Sequence, residues 1–301
     1  MEFHQLTAVV AVAEAGTFTA AADALGLSQP SVSQAVRLLE RELGTPLFDR
    51  DAAGARLTEA GRALLGPARQ ALHDRGLARA AVEEVAGLVA GTIELGCIPT
   101  VAADLVTPVV GAMRRRHPGV TLHISEPGED ESVAAYVRSG QWEVGFGVVP
   151  VADRRLVTVV LGEQDLVAVL SRGHAATHAP DGAIAVTALA DLPLVTAPAQ
   201  TASYLQLEAA LAERGRVLRS AVETVHRDTI VALVHAGAGA AVVPRGVAEA
   251  DRRSGVVVAE LDLPIRRSVG LVHRDAVLSP AARAVVDLAV ERARRRDGNG
   301  A

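Results

Sequence analysis

The sequence contains no lysine, one cysteine and few aromatic residues. The single cysteine, Cys97, excludes an intramolecular disulfide and a metal site made of several cysteines. Aromatic residues form 2% of the chain, which leaves little for stacking single-stranded bases. All 30 basic residues are arginine, and the formal net charge of −5 argues against a protein that coats nucleic acid by bulk electrostatics. Any binding of nucleic acid must therefore be local.

The sequence also lacks long uninterrupted apolar runs. Arg, Glu, Gly or Pro interrupts the apolar stretches before they reach the roughly 18 to 20 residues that a membrane span requires. The amino terminus, with Glu2, His4 and Gln5, lacks the basic start and the apolar run of a secretory signal. These features predict a cytoplasmic protein with no membrane partner. Its 301 residues suit roughly two or three compact units.

Sequence patterns of catalysis and metal binding are missing as well. The nine histidines show no H-E-x-x-H spacing, and neither G-x-S-x-G nor G-x-x-x-x-G-K-[ST] occurs. The glycines of HAGAGAAVVP follow a predicted helix and precede a predicted strand, which is the wrong order for a dinucleotide-binding loop. Cys97 ends a predicted strand and is better explained as a small buried residue than as a nucleophile. The sequence therefore predicts no enzyme, no cofactor and no metal site.

Three short apolar stripes at the amino terminus have the spacing of a helix face. They predict helices that end at Gly16, Gly26 and Gly44. The hydroxyls of Thr17 and Ser28 stand where they can cap the second and third helices. Because the connection between these two helices is short and contains a glycine, it suits a steep crossing, as in helix-turn-helix units.

The third predicted helix has an apolar and a polar face. Its apolar stripe consists of Val32, Val36, Leu39 and Leu43. The opposite face carries Gln29, Ser33, Gln34, Arg37 and Arg41. Such side chains can reach base edges or phosphates in a major groove, and a solvated polar face fits the same pattern. Charge does not decide between the two, since residues 1–70 contain six arginines and eight carboxylates.

A specific combination of motifs covers about the first 65 residues. The run GTFTAAADALGLSQPSVSQAVRLLERELGTPLFDR, followed by RLTEAGRALL, contains F-T-x-A-A, S-Q-P-S-V-S, L-E-x-x-L-G and L-F-x-R. It resembles the amino-terminal signature of LysR-type transcriptional regulators. The resemblance implies an all-α winged helix-turn-helix domain in residues 1–58, with a wing from Leu47 to Leu57. It implies DNA-lining residues Ser28, Gln29, Pro30, Ser31, Ser33, Gln34 and Arg37, and backbone-holding residues Thr17, Thr19, Arg50 and Arg56.

Two positions depart from this family pattern. Many members carry arginine in the second helix, where this chain has Ala20, and after the second serine of the recognition helix, where it has Gln34. Because fewer arginines can contact phosphates, we expect weaker non-specific DNA binding.

Residues 59–89 predict a long linker helix that starts after Thr58. Pro67 and Gly76 predict a bend, because proline removes one hydrogen bond of the helix. An imperfect heptad-like stripe runs through Leu65, Ala68, Leu72, Val82, Ala86 and Val89. It fits a helix packed on its own chain or a dimerisation helix. The resemblance implies the latter, in a homodimer or a dimer of dimers that reads an interrupted palindrome.

From Gly91 onward, strand-like and helix-like runs alternate, which predicts an α/β fold with a mostly parallel sheet. By resemblance, residues 90–301 form an effector-binding domain like the periplasmic binding proteins. Its subdomain I would comprise about 90–163 and 267–301, and its subdomain II about 164–266. Two chain crossings, near 161–166 and 264–268, would form a hinge.

At three places a predicted strand ends and a predicted helix begins. The residues there are Pro99 and Thr100, Gln200 and Thr201, and Arg227 and Asp228. Ligands of open α/β sheets bind beyond the carboxyl ends of strands, and helix amino termini favour anions. Arg227 could pair with a ligand carboxylate or lie exposed or paired with an aspartate. With the family's effector-contacting segments added, the candidate effector residues are Pro99, Thr100, Val101, Val148, Gln200, Thr201 and Arg227.

Together these observations predict a LysR-type regulator that binds an operator in double-stranded DNA and responds to a small-molecule effector, an anionic organic acid. RNA polymerase is a further candidate partner. One alternative is a small-molecule-binding protein or enzyme whose amino-terminal helices serve only for assembly. Another is a DNA-bound regulator with an empty, purely structural cleft.

Overall fold

The computed structural model describes residues 1–51, 54–85, 90–128, 132–250 and 255–298, without the side chains of 50, 51, 83–85, 297 and 298. The chain forms two compact units. The first contains Met1–Gly96, Met113–Gly145 and His273–Val286, and the second contains Cys97–Ala112, Phe146–Val272 and Asp287–Ala301. These limits differ from the predicted domain limits, which remain a prediction.

The three amino-terminal helices have the predicted bounds: α1 (Phe3–Ala15), α2 (Phe18–Leu25) and α3 (Gln29–Leu43). The glycine after each helix has a positive φ, between 64° and 72°, a left-handed conformation that closes the last turn. Thr17 Oγ1 accepts a hydrogen bond from Ala20 N at 3.1 Å, and Ser28 Oγ accepts one from Ser31 N at 3.3 Å. The predicted caps are therefore confirmed. No single described helix is long and apolar enough to cross a membrane; α1 and α2 together pass that test of length and composition but are bent by 120°.

The apolar faces of these helices form one core with buried residues that include Leu6, Val9, Val12, Val36 and Leu39. The predicted wing is an antiparallel hairpin of β1 (Phe48–Asp51) and β2 (Gly54–Leu57). Phe18 and Phe48 meet edge to face, with ring centroids 5.7 Å apart, and this contact joins the wing to α2.

Two apolar residues at helix ends are exposed, and one of them, Leu43, was predicted to lie in a buried stripe. Phe3 is 44% exposed and Leu43 is 43% exposed. Phe3 is the first residue of α1 and Leu43 is the last residue of α3, so both lie beyond the point where the helices cross. The Arg75 guanidinium lies 5.0 Å from the centre of the Phe3 ring.

The predicted linker helix is α4 (Glu59–Val85), which continues through Pro67. Its first half packs on the amino-terminal core through Ala60, Leu64, Ala68, Ala71 and Leu72. Val82, in the second half, is 72% exposed. Positions 86 and 89 of the predicted stripe lie outside the described residues. The first half of α4 thus packs on its own chain.

The rest of the chain alternates strands and helices. The strands are β3 (Gly91–Cys97), β4 (Val120–Ser125), β5 (Val144–Val148), β6 (Leu156–Ser171), β7 (Ala183–Ile184), β8 (Leu194–Thr196), β9 (Ser220–Glu223), β10 (Ala241–Pro244), β11 (Val256–Leu261) and β12 (Ile265–Arg274). The helices are α5 (Pro99–Val101), α6 (Thr107–Arg116), α7 (Val133–Arg138), α8 (Arg172–His178), α9 (Ala202–Ala212), α10 (Ile230–His235), α11 (Arg245–Ala250) and α12 (Pro280–Gly298). A π-helical turn (Ala102–Val106) joins α5 to α6.

In the first unit, β3 and β4 are parallel, with Glu94 opposite His123. Gly96 lies against the Trp142 ring, where a Cβ would come within 1.8 Å of Cε3, so no larger residue fits. The Tyr136 ring stacks on the Trp142 ring, with the two centroids 4.2 Å apart.

The second unit contains most of β5 and β12, and its strand order is β5-β12-β6-β11-β7, with β10 also paired to β6. β10 and β11 are antiparallel to β6, whereas β11 and β7, and β8 and β9, are parallel. The described strands are therefore paired in both directions, and the prediction of a mostly parallel sheet did not include the antiparallel pairing of β10 and β11 with β6. The reason is that a strand buried on both faces shows the same continuous apolar run in either direction.

The long strand β6 is buried on both faces. Val167 and Val169 enter one core cluster, and Ala168 and Leu170 enter another. Successive side chains of a strand point to opposite faces, so β6 is covered on both sides. The predicted crossings near 161–166 and 264–268 lie within β6 and at the start of β12.

Candidate DNA interface and effector site

Most of the predicted DNA contacts lie at the surface of the amino-terminal helices and the wing. The exposed ones are Thr17, Thr19, Ser28, Gln29, Pro30, Ser31, Gln34, Arg37 and Arg56. On α3 they lie opposite the buried Val32, Val36 and Leu39. The polar face of α3 is thus open to a partner such as a major groove.

Two predicted DNA contacts, Ser33 and Arg50, differ from the exposed ones. Ser33 is 4% exposed, so the expectation that it lies on the DNA-facing surface was wrong. It precedes Val36 by three residues and therefore shares the inward face of the helix. Arg50 pairs with Ala55 in the wing through its backbone, but its side chain lies outside the described residues. Its role remains a prediction.

A groove of about 500 Å³ runs along the carboxyl-terminal half of α3. Its lining consists of Gln34, Arg37, Glu40, Arg41, Gly44, Thr45 and Pro46. Glu40 Oε1 accepts a hydrogen bond from Leu47 N at 2.8 Å, so this carboxylate fixes the chain where the wing begins. Arg37 and Arg41 add two positive charges to the groove.

A buried guanidinium lies in the second unit. Arg267, on β12, is 4% exposed. Its Nε and Nη2 donate to Gln164 Oε1 at 3.1 and 2.9 Å. Its Nη1 donates to Ser203 Oγ at 3.1 Å, and Nη2 donates to Thr100 Oγ1 at 2.9 Å. One cation therefore joins β12, β6, α9 and α5.

Arg267 has only neutral hydrogen-bond partners in the described part of the chain, and no carboxylate there lies within ion-pair distance. Burial, assisted by the charge of Arg227, lowers the pKa of Arg267 to about 10. The side chain is still charged at neutral pH. Because a buried charge without a counter-ion is unfavourable, this site favours an anion.

Two hydroxyl groups contact this cation, and a third belongs to a residue two positions from one of them in the chain. Thr100 Oγ1 and Ser203 Oγ accept hydrogen bonds from Arg267, so their own protons point away from it. Thr201 Oγ1 is buried and has no hydrogen-bond partner among the residues that the structure describes. These hydroxyls can each donate to an anionic oxygen.

The candidate effector residues are partly brought together. Thr100 contacts Arg267, Thr201 is two residues from Ser203, and the charge of Arg227 acts on Arg267. For the remaining four, no contact with Arg267 is described: Pro99 and Val148 are half-buried, Val101 is buried and Gln200 is exposed.

Arg267, Gln164 and Asp104 were not among the predicted effector residues. Gln164 Nε2 donates to the Thr100 carbonyl at 2.8 Å and approaches Asp104 Oδ2 at 3.4 Å. The one signal for Arg267 was a charged residue in the otherwise apolar strand RSVGLV. In the described ranges, no group of three or more His, Cys, Asp or Glu is placed to hold a metal ion.

Comparisons with known proteins match both parts of the chain. Residues 3–62 match the model of the bacterial regulatory helix-turn-helix protein, lysR family. Residues 86–294 match that of the LysR substrate binding domain. The chain belongs to the LysR family of transcriptional regulators. It is a DNA-binding transcriptional regulator with an effector-binding domain, and not an enzyme.

Full-length relatives support this LysR-type assignment. The HTH-type transcriptional regulator IlvR of Caulobacter vibrioides is 30% identical, over 97% of this chain and 98% of its own. A probable hydrogen peroxide-inducible genes activator of Mycobacterium avium is 31% identical, over 89% and 86%. The structure of full-length CbnR complexed with its target DNA has a TM-score of 0.69 and 25% identity, over 97% and 100%. The helix α4 lies largely between the two matched regions.

Proposed function

We propose that this LysR-type regulator changes its engagement of operator DNA when a small organic acid binds at Arg267. The observation that carries the proposal is the buried guanidinium without a carboxylate in the described part of the chain. A carboxylate would neutralise this charge and accept hydrogen bonds from the hydroxyls of Thr100, Thr201 and Ser203. An amide carries no charge, so it would leave the guanidinium unneutralised.

Binding at Arg267 can act on the shape of the protein because the surrounding groups belong to β12, β6, α5 and α9. An anion that contacts all four elements favours the arrangement in which they are closest together. A ligand shifts a conformational equilibrium only by its difference in affinity between two states, and contacts to several elements supply such a difference.

Calorimetric titration of the full chain with small carboxylic acids and the matching primary amides tests the effector. Mono-, di-, hydroxy-, oxo- and aromatic acids form the panel. We expect an acid to bind at least about ten-fold more tightly than its amide, a difference of ~1.4 kcal/mol. Arg267→Gln should abolish that preference. The matched control is the neighbouring Arg266→Gln, since Arg266 is exposed and pairs with Asp165 at 2.8 Å. Equal binding of acids and amides would refute the proposed effector class.

On the DNA side, we propose that the exposed face of α3 reads the operator in the cytoplasm, in a homodimer or dimer of dimers built on α4. We propose that the DNA-bound regulator also contacts RNA polymerase on the same DNA. The solved CbnR structure in complex with its target DNA supports this use of the fold. Fluorescence anisotropy against the duplex upstream of its own gene, with a scrambled competitor and two salt concentrations, should show a preference of the order of 10³. No preference at either concentration would contradict sequence-specific binding.

Arg37→Ala and Gln34→Ala should each weaken operator binding by ~1 to 3 kcal/mol, because both side chains lie on the exposed face of α3. The same anisotropy titration measures the loss. Arg172→Ala, an exposed arginine on α8, is the control and should bind like the unmodified chain. Unchanged affinity in both α3 variants would remove these residues from the DNA interface.

The cysteine content argues against one alternative signal. A response to peroxide through an intramolecular disulfide needs two cysteines, and this chain has one. Cys97 is also 3% exposed. The similarity to the Mycobacterium avium relative therefore gives no support for a disulfide-based response in this chain, and we propose a bound ligand as the signal.

A further inference from the structure

A carboxylate of the second unit also lacks a partner of opposite charge. Asp104 is half-buried and lies in the π-helical turn between α5 and α6. Among the described residues, it accepts a single hydrogen bond, from Gln164 Nε2 to Oδ2 at 3.4 Å, and no arginine or histidine lies within ion-pair distance of it. A partly buried charge is costly when it stays unpaired. Asp104 is therefore the negative counterpart of the unneutralised Arg267.

A purely structural role does not explain the position of Asp104. Its carboxylate lies beside Gly246 at the start of α11, where a Cβ would come within 2.4 Å of Oδ2. Carboxylates at helix starts often cap the helix, but no backbone N–H in the described ranges donates to Asp104. The neighbouring cation, Arg245, is occupied, since its Nη2 donates to Glu260 Oε2 at 2.6 Å. Asp104 is thus neither a helix cap nor half of an ion pair.

The side chain of Gln164 connects the two charges. Gln164 is 7% exposed. Its Oε1 accepts hydrogen bonds from Arg267, and its Nε2 donates to the Thr100 carbonyl and approaches Asp104. One amide group and two hydrogen bonds therefore separate the guanidinium from the carboxylate. A small amino acid carries a carboxylate and an ammonium group a few atoms apart, and with a hydrogen bond at each end it spans a similar distance.

Both charged groups retain hydrogen-bonding capacity for such a ligand. A guanidinium has five N–H groups. In Arg267, Nε uses its one N–H, Nη2 uses both of its own and Nη1 uses one of two in the described hydrogen bonds. One N–H of Nη1 is left to donate to a carboxylate. Asp104 Oδ1 accepts no hydrogen bond from the described residues, so it can accept one from an ammonium group.

We propose that the effector is a small amino acid whose carboxylate binds Arg267 and whose ammonium group binds Asp104. The inference rests on the proposed function, because it narrows the acids expected at that same site to those that also carry a positive charge. An amino acid neutralises both unpaired charges, whereas a simple acid leaves Asp104 unpaired. A hydroxy acid offers Asp104 only a neutral donor, and hydrogen bonds between two charged groups are stronger.

Calorimetric titration of the full chain with amino acids and the same acids without the amino group tests this inference. The pairs are alanine and propionate, valine and isovalerate, phenylalanine and hydrocinnamate, and γ-aminobutyrate and butyrate. We expect at least one amino acid to bind about ten-fold more tightly than its deaminated partner. The inference is overturned if no amino acid of the panel does so, or if the hydroxy analogue of the tightest-binding amino acid binds equally well.

Asp104→Asn keeps the shape of the side chain and an acceptor for Gln164 but removes the charge. The variant should bind the amino acid about ten-fold more weakly and the deaminated acid within about two-fold of the unmodified protein. The matched control is Asp165→Asn, which removes an exposed carboxylate from the same strand as Gln164 and should keep the preference for the amino acid. An unchanged preference in Asp104→Asn, or equal weakening of both ligands, would remove Asp104 from ligand recognition.

The amides of the same acids separate this inference from the proposed function. If acids bind more tightly than their amides but the ammonium group adds nothing, the effector is a simple acid and only the inference fails. If acids and amides bind equally, the proposed effector class fails together with the inference. Arg267→Gln should weaken the binding of amino acids and deaminated acids alike, because both depend on the same guanidinium.

Discussion

Two buried ions of opposite sign differ in how the protein satisfies them. Glu143 is 9% exposed and Arg267 is 4% exposed. Both oxygens of Glu143 are occupied by the backbone and the hydroxyl of Ser279, with His73 nearby. Arg267 has neutral partners, and the described residues supply no opposite charge. A buried charge that its own chain satisfies serves the fold, whereas one left without a counter-charge indicates a ligand.

The largest expected effect is on the satisfied ion. Glu143→Ala leaves Ser279 N and the start of α12 without their acceptor, so we expect a loss of ~3 kcal/mol in the free energy of unfolding. Urea unfolding followed by circular dichroism measures it. The control, Glu94→Ala, removes an exposed carboxylate and should change the free energy by less than ~0.5 kcal/mol. Equal losses of unfolding free energy in both variants would mean that the buried Glu143 stabilises the fold no more than an exposed carboxylate does.

Arg267→Met should lower ligand affinity without lowering the stability of the fold. The variant removes a buried cation that lacks a counter-charge and replaces it with an apolar side chain, so the free energy of unfolding without ligand should stay the same or rise by ~1 kcal/mol. Carboxylate affinity should fall by ~2 to 3 kcal/mol, about a hundred-fold. Urea unfolding and calorimetry on the same preparation separate the two effects. A loss of stability as large as that of Glu143→Ala would mean that Arg267 serves the fold.

Gly246→Ala tests whether Asp104 takes part in the Arg267 network. A Cβ at position 246 would lie 2.4 Å from Asp104 Oδ2, and this carboxylate approaches Gln164 Nε2 at 3.4 Å. We expect a loss of ~1 to 2 kcal/mol in stability and a weaker response to carboxylates, because Asp104 must move. Gly173→Ala, where nothing lies within 4 Å, is the control for both measurements. Identical behaviour of the two variants would remove Asp104 from the network.

The two ions also show where sequence reasoning succeeds. The helices α1 to α3 were predicted with their ends because the signals are local: Thr17 caps α2 by binding a backbone amide three residues away, and Gly26 closes the helix. Arg267 and Gln164 are 103 positions apart in the chain, and their contact depends on how the strands pair. Local sequence patterns do not predict which strands pair, so they could not predict this contact.

Burial of individual side chains likewise depends on tertiary contacts that local sequence patterns do not reveal. Ser33 was expected on the face of α3 opposite its apolar stripe, and the family resemblance implied the same, yet it is buried. Thr100, Thr201 and Arg227 were predicted as effector residues because polar residues after strand ends are a local signal of a ligand crevice. Arg267, which Thr100 contacts, lies within β12, where only the tertiary structure distinguishes a buried charge from an exposed one.

The smallest expected effect sharpens the comparison at a single hydroxyl. Thr201 Oγ1 is buried without a hydrogen-bond partner among the described residues. Thr201→Val has nearly the same shape, so without ligand it should leave the stability unchanged or raise it slightly, because no hydrogen bond is lost. With a carboxylate bound, it should cost about five-fold in affinity, close to 1 kcal/mol. Thermal shift with and without ligand measures both, and Thr177→Val, on the exposed surface of α8, serves as the control. If Thr201→Val loses stability without ligand and binds the acid unchanged, then the hydroxyl serves the fold like Ser279. The set of donors at Arg267 would then shrink to Thr100 and Ser203.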